Sequence, residues 1–293
     1  MIIMVTGTGT DVGKTVATAA LVSVLRDRGI DVLPAKPVQT GPGEGDVAII
    51  AALTGVPGVE YARYPEPLAP NIAARRAGLP QVTREELGVW LRGLEAPGRT
   101  VLVEGAGGLL VRLADDLTLA DLAADVGAPL LVVTSLGLGS LNAAELTVRA
   151  ARARGLEVIG LIGGSLPAEP DLATRENLTE LPRVTGVPLL GCLPAGHSGT
   201  CLEELQDLLR ELAVGVDADV RLGRVVACAD SAALPHRAQA DLLEDTGRGR
   251  VVGGDARGDR GVRVHALGGL EGGLGNLGGE TVAPLVGAEA VLE

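Results

Sequence analysis

Short runs of Val, Ile and Leu recur along the chain as far as Cys192: Ile2 to Thr6, Val32 to Ala35, Val101 to Glu104, Leu130 to Thr134, Val158 to Ile162 and Val187 to Cys192. Each ends at Gly, Pro or a polar residue, and none alternates cleanly with polar residues. That pattern predicts strands buried on both faces of a parallel sheet. The segments between them carry apolar residues at helical spacing. Thr15 to Arg28 stops at Gly29 and Leu141 to Arg154 stops at Gly155, while Asp171 to Leu181 and Leu202 to Leu212 are further helices by the same reading. Strands alternating with helices predict an α/β fold, a doubly wound, mostly parallel sheet with helices on both faces. Ligands of such sheets bind at the carboxyl ends of the strands.

The pattern fails near the C-terminus. From about Asp217 glycine becomes dense, and stretches such as GRGRVVGGDARGDRGVR and GGLEGGLGNLGGE show neither period. One catalytic domain is expected over residues 1–216, and a Gly/Arg-rich, poorly ordered extension over 217–293.

Composition narrows the function. The chain has 293 residues and is 46% hydrophobic but only 1% aromatic, so its core must be built from Leu, Val, Ile and Ala. A net charge of -12 argues against a nucleic-acid partner, which needs a basic footprint. Cys192, Cys201 and Cys228 have no metal-ligand spacing and read as reduced thiols. No basic stretch precedes the opening MIIMVTGTG, and no apolar run approaches the roughly 18 residues of a membrane span. A cytoplasmic protein without membrane partners is expected. The 25 basic residues include only two lysines, Lys14 and Lys36. A chain this biased toward Arg keeps an ammonium where a compact point charge is needed.

Residues 5–15 read VTGTGTDVGKT, a strand running into a glycine-rich loop that opens a helix. Five residues separate Gly7 from Gly13, one more than in the standard phosphate-binding loop. Small residues let backbone N–H groups curl around phosphate oxygens, and the helix N-terminus adds its dipole. The cradle comprises Gly9, Thr10, Asp11, Val12, Gly13, Lys14, Thr15 and Val16. Lys14 reaches the β- and γ-phosphates, and Thr15 offers a hydroxyl to Mg²⁺. The fold is thus of the P-loop NTPase type. In VLVEGAGG, residues 101–108, Glu104 stands at a strand end as a metal-holding carboxylate, followed by Gly105, Gly107 and Gly108. Asp46 is either a further metal ligand or a helix N-cap. Lys36, in KPVQTG directly after the second strand, faces the same site, with the Thr40 hydroxyl in reach. A second cation beside the γ-phosphate implies that another negative group reacts there. LGSLN, residues 138–142, leads into a helix and forms an anion site from its backbone N–H groups.

In order and spacing, GTGTDVGKT, KPVQTG followed by Asp46, VEGAGG and LGSLNAAELT resemble the dethiobiotin synthetase family over roughly residues 1–200. The resemblance implies ATP, Mg²⁺, CO₂ and 7,8-diaminononanoate. One amine would take up CO₂ as a carbamate, which attacks the γ-phosphate of ATP to give a carbamic-phosphoric anhydride. The second amine then closes a cyclic urea and expels phosphate. By the same resemblance Lys14, Lys36, Thr10 and Asp11 are catalytic, Asp11 standing where the family usually has Glu. Thr15, Asp46 and Glu104 would carry the metal. Lys36 and Thr40 would hold the substrate, with Gly139, Ser140, Leu141 and Asn142 of a homodimeric partner gripping its distant carboxylate. Where many members have a base-reading Asn, this chain has Gly163, Gly164 and Ser165. Gly164, Ser165, Leu193, Pro194 and Ala195 are then expected to hold the base through backbone groups, leaving nucleoside triphosphates besides ATP open. A P-loop amidoligase is disfavoured because His197, His236 and His265 lie in loops or tail and no nucleophile elbow surrounds a cysteine. A partition or delivery ATPase is disfavoured because the lysine such switches carry at the start of the P-loop is missing.

Overall fold

The computed structural model describes residues 1–195. The helix expected over 202–212, the extension over 217–293, Cys201, Cys228, all three histidines and Gly196 lie outside the described residues.

The order of elements is β1 (Ile2–Gly7), α1 (Lys14–Asp27), β2 (Asp31–Thr40), α2 (Asp46–Thr54), β3 (Val59–Tyr64), α3 (Pro70–Ala77), α4 (Arg84–Leu94) and β4 (Arg99–Gly108). Then follow β5 (Arg112–Ala114), β6 (Leu117–Thr118), α5 (Leu119–Val126), β7 (Leu130–Thr134), α6 (Ser140–Arg152), β8 (Val158–Leu166), α7 (Leu172–Thr185) and β9 (Leu189–Pro194). Seven strands form one sheet in the order β3-β2-β4-β1-β7-β8-β9, every neighbouring pair parallel. β5 and β6 make a small antiparallel ribbon.

Each predicted strand is present, because runs with no polar alternation can be buried only between two layers of helices. Along β1, Ile2 and Met4 pack with Leu87, Leu91, Leu119 and Leu122 on one face. Ile3 and Val5 pack with Ala17, Leu21, Leu25 and Ile50 on the other. Val132 and Leu161 meet α6 and α7 through Ala144, Val148 and Leu181. Capping boxes at Thr83–Glu86 and Thr118–Asp121 start α4 and α5. No helix among the described residues is long and apolar enough to cross a membrane.

Two expected boundaries are corrected. β2 runs to Thr40, so Lys36 lies inside the strand rather than after it. β4 runs to Gly108, so Glu104 is also within a strand. Proline and glycine had marked these segments as loops. Pairing on one side carries the backbone through each: β2 past Ala35 pairs only with β3, and β4 from Glu104 only with β1, with a register shift past Val5.

The P-loop rests on β8 through glycine. A Cβ on Gly164 would meet the Val12 carbonyl oxygen at 1.6 Å, and one on Gly13 would meet the Gly164 oxygen at 2.7 Å. Both obstacles are backbone, which cannot rotate away. Gly164→Ala is therefore expected to cost about 1–3 kcal/mol, the usual range for overpacking, and to weaken nucleotide binding. Gly93→Ala, in α4 with open space around it, should leave stability unchanged or raise it by about 0.5–1 kcal/mol. Urea midpoints and nucleotide titrations of the two variants check the contrast.

Candidate active site

The site forms where β1, β2 and β4, neighbours in the sheet, end together. β1 delivers the glycine loop. Asp11 sits at φ 56, the left-handed region that Asp tolerates better than most residues, and Gly13 caps α1 at φ 92. No side chain caps the α1 N-terminus, so its first N–H groups are available to an anion. Lys14, the first residue of α1, is buried and donates to the Gly9 carbonyl at 2.9 Å.

β2 and β4 bring the second lysine against two carboxylates. Lys36 is 3% exposed and Glu104 1%. The Lys36 Nζ lies 2.5 Å from Asp46 Oδ2 and 3.1 Å from Glu104 Oε1. It also donates to the Gly105 carbonyl at 2.9 Å. The Thr15 hydroxyl donates to the same Glu104 Oε1 at 3.0 Å. Glu104 Oε2 is buried without a hydrogen-bond partner. Asp46 is the first residue of α2, and the helix cap is Gly45. Of the two readings left open for Asp46, the N-cap one does not hold: its carboxylate lies against the Lys36 ammonium, and its N–H donates to Gln39 Oε1 at 3.1 Å.

The electrostatics follow from burial and pairing. Burial alone would lower the Lys36 ammonium, but Glu104 and Asp46 against it more than offset this and hold it above the ordinary lysine value. Burial would raise Asp46, and Lys36 overrides it, holding that carboxyl below its usual range. Burial dominates at Glu104, which is pushed up although Lys36 pulls it down. Lys14 is lowered by burial and then by its like-charged neighbour Lys36.

These groups open on a cavity of ≈ 860 Å³. Of the residues predicted from sequence, Thr10, Asp11, Gly13, Lys14, Thr15, Val16, Lys36, Thr40, Asp46, Glu104 and Gly107 line it. Pro67, Leu68, Ala69 and Pro70, together with Val38 and Val111, form an apolar wall that sequence reasoning missed. Its Pro67–Pro70 part runs into the first residue of α3, in a stretch whose only signal was two prolines around an apolar pair.

A family profile described as an AAA domain matches residues 2–200. The ATP-dependent dethiobiotin synthetase of Corynebacterium efficiens is 61% identical over 207 residues, covering 70% of this chain and 94% of that protein. That of Corynebacterium diphtheriae is 54% identical, covering 72% and 96%. The chain belongs to the dethiobiotin synthetase family. The Rhodococcus jostii enzyme is 54% identical, covering 67% of this chain and 87% of that protein. Among solved structures, the septum site-determining protein MinD of Pyrococcus horikoshii is 15% identical with a TM-score of 0.44, covering 75% of this chain and 99% of that one.

Several residues singled out by the resemblance to dethiobiotin synthetases stand apart from the cavity. Gly139, Ser140, Leu141 and Asn142 do not line it within one chain. They start α6, with Asn142 exposed and Leu138 95% exposed. The Ser140 hydroxyl is buried and accepts from Asn177 Nδ2 at 3.1 Å, so it points into the fold rather than toward a ligand. Gly164 and Ser165 lie in β8, not in a loop, and with Leu193, Pro194 and Ala195 they fall outside the cavity lining. Gly9 and Gly108 line a separate cavity of ≈ 420 Å³ together with Leu110 and Leu146.

Among the described residues no cluster of three or more His, Cys, Asp or Glu is placed to hold a metal. The oxygen set of Thr15, Asp46 and Glu104 nonetheless fits Mg²⁺, which usually takes one or two carboxylates, substrate phosphates and waters. The unpartnered Glu104 Oε2 is a donor of the right hardness.

Replacing Lys36 by Met leaves the buried Glu104 and the half-buried Asp46 without their cation. The Lys36→Met variant is expected to lose about 3–5 kcal/mol in urea unfolding. Its pH dependence should also change. Without the ammonium, one carboxyl of the pair keeps a proton in the folded state above the ordinary value of 4.5. The folded variant then binds more protons than its unfolded chain, so stability rises as pH falls from neutrality toward 4.5, and by more than in the unsubstituted protein.

Proposed function

We propose that this cavity carries out the ATP-dependent closure of 7,8-diaminononanoate and CO₂ to dethiobiotin, with release of ADP and phosphate. The observation that carries the reading is the pairing of a P-loop lysine with a second buried lysine at one cavity. Lys14 and the α1 N-terminus take the phosphates of ATP. Lys36, with Thr10 and Thr40, serves the anion made when CO₂ joins the amine. Mg²⁺, held by Thr15, Asp46 and Glu104, supplies charge neutralisation at the phosphates when bound. Asp11 holds a substrate amine from the cavity rim. The apolar wall at Pro67–Pro70 takes the hydrocarbon chain and excludes water.

The reading includes a homodimer. Gly139, Leu141 and Asn142, away from the cavity of their own chain, would serve a partner's cavity through backbone N–H groups. The exposed Leu138, Leu110 and Leu146 favour such a contact. Gly163, Ser165 and Leu193–Ala195 are offered to the nucleotide base, Gly164 being taken up by the P-loop contact. The catalytic unit is placed within residues 1–216, with 217–293 outside it, and the enzyme in the cytoplasm.

Phosphate release with Mg-ATP, bicarbonate and 7,8-diaminononanoate, each omitted in turn, tests the reading. Release should require all of them. Release indifferent to the diamine would instead indicate a switch ATPase. Lys36→Arg is expected to lower turnover by about a hundredfold or more, because a planar fork cannot take the place of a point charge in this cage.

A further inference from the structure

The Lys36 ammonium lies in an all-oxygen cage: Asp46 Oδ2 at 2.5 Å, Glu104 Oε1 at 3.1 Å and the Gly105 carbonyl at 2.9 Å. Both carboxylates of that cage are the ones read above as metal ligands. Glu104 carries a third demand, since its Oε1 also accepts from Thr15, while its buried Oε2 has no partner. Lys36 and a divalent cation therefore compete for the same oxygens. Two full positive charges on the same oxygens repel each other strongly unless another anion lies between them.

The geometry points to Lys36 as a built-in counter-ion that occupies the divalent-cation site of the nucleotide-free protein and excludes the metal until phosphates arrive. Triphosphate oxygens above Lys14 would give the ammonium a second set of anionic partners. Lys36 can then turn on its flexible stem toward the phosphates and release Asp46 and Glu104 to the metal. Metal and nucleotide binding are coupled by this exchange: each favours the arrangement in which the other binds. A free divalent cation would not be trapped in the empty site, and the buried Glu104 never stands without a cation. This inference rests on the reading of Thr15, Asp46 and Glu104 as the metal site.

Binding of Mn²⁺, counted as loss of the free-ion paramagnetic resonance signal, tests it in the full chain, with and without a non-hydrolysable ATP analogue. The unsubstituted protein should take up Mn²⁺ weakly alone and form the ternary complex readily with the analogue. Lys36→Met should bind Mn²⁺ without nucleotide, about tenfold or more tighter than the unsubstituted protein, within the range that couplings between sites usually span. Its melting temperature should rise with MnCl₂ alone, where the unsubstituted protein's does not. If the methionine variant fails to fold, Lys36→Gln serves in its place, since its shorter, uncharged side chain keeps a hydrogen-bond donor on the carboxylate side. The inference is overturned if the unsubstituted protein binds Mn²⁺ equally well without nucleotide. It is also overturned if the Lys36 variant takes up Mn²⁺ only with nucleotide, as the unsubstituted protein does. Absence of Asp46- and Glu104-dependent Mn²⁺ uptake even with the analogue would overturn the metal-site reading itself, and Asp46→Asn with Glu104→Gln separates that outcome.

Discussion

The buried ion pair of Lys36 with Glu104 and Asp46 is the constraint around which the rest of the site is arranged. It joins β2, β4 and the start of α2, and it lets Lys36 and Glu104 be buried together, which neither could be singly. An isolated charge in such a place would neutralise or be expelled. Here a single ammonium faces two carboxylates. Lys14 stands close enough for Lys36 to depress it. The cluster is thus one electrostatic unit rather than a row of independent residues.

Backbone packing supplies the second constraint. The P-loop must present its N–H groups inward, and it is held there by contact between Gly13 and Gly164, where no side chain fits. That contact links β8, on the far side of β1 and β7, to the phosphate cradle. The glycine that the resemblance assigned to the nucleotide base is therefore engaged in shaping the loop.

Much of this was legible in the sequence. Buried parallel strands carry continuous Val, Ile and Leu, and the predicted runs locate all the strands near the sheet centre. The glycine loop and Lys14 follow from local spacing alone. The scarcity of lysine directed attention to Lys36, but its strand setting was hidden behind Pro37 and Gly41, which read as loop. The ion-pair cage was not legible, because it depends on which strands are neighbours and where α2 begins. The apolar wall at Pro67–Pro70 was missed for a similar reason, since its residues have no chemical signature until the fold sets them along the same cavity as Lys36. The partner of the Ser140 hydroxyl was not legible either, because Asn177 is distant in sequence.

With only two lysines in the chain, the central claim can be read from two amine signals. A pH titration of protein labelled with ¹⁵N at the lysine Nζ, followed by nuclear magnetic resonance, is the direct measurement. Lys14 should lose its proton below the ordinary lysine value of 10.5, and Lys36 should keep its own above it. Two signals that titrate together near 10.5 would contradict the account, because Lys36 would then not be clamped between buried carboxylates.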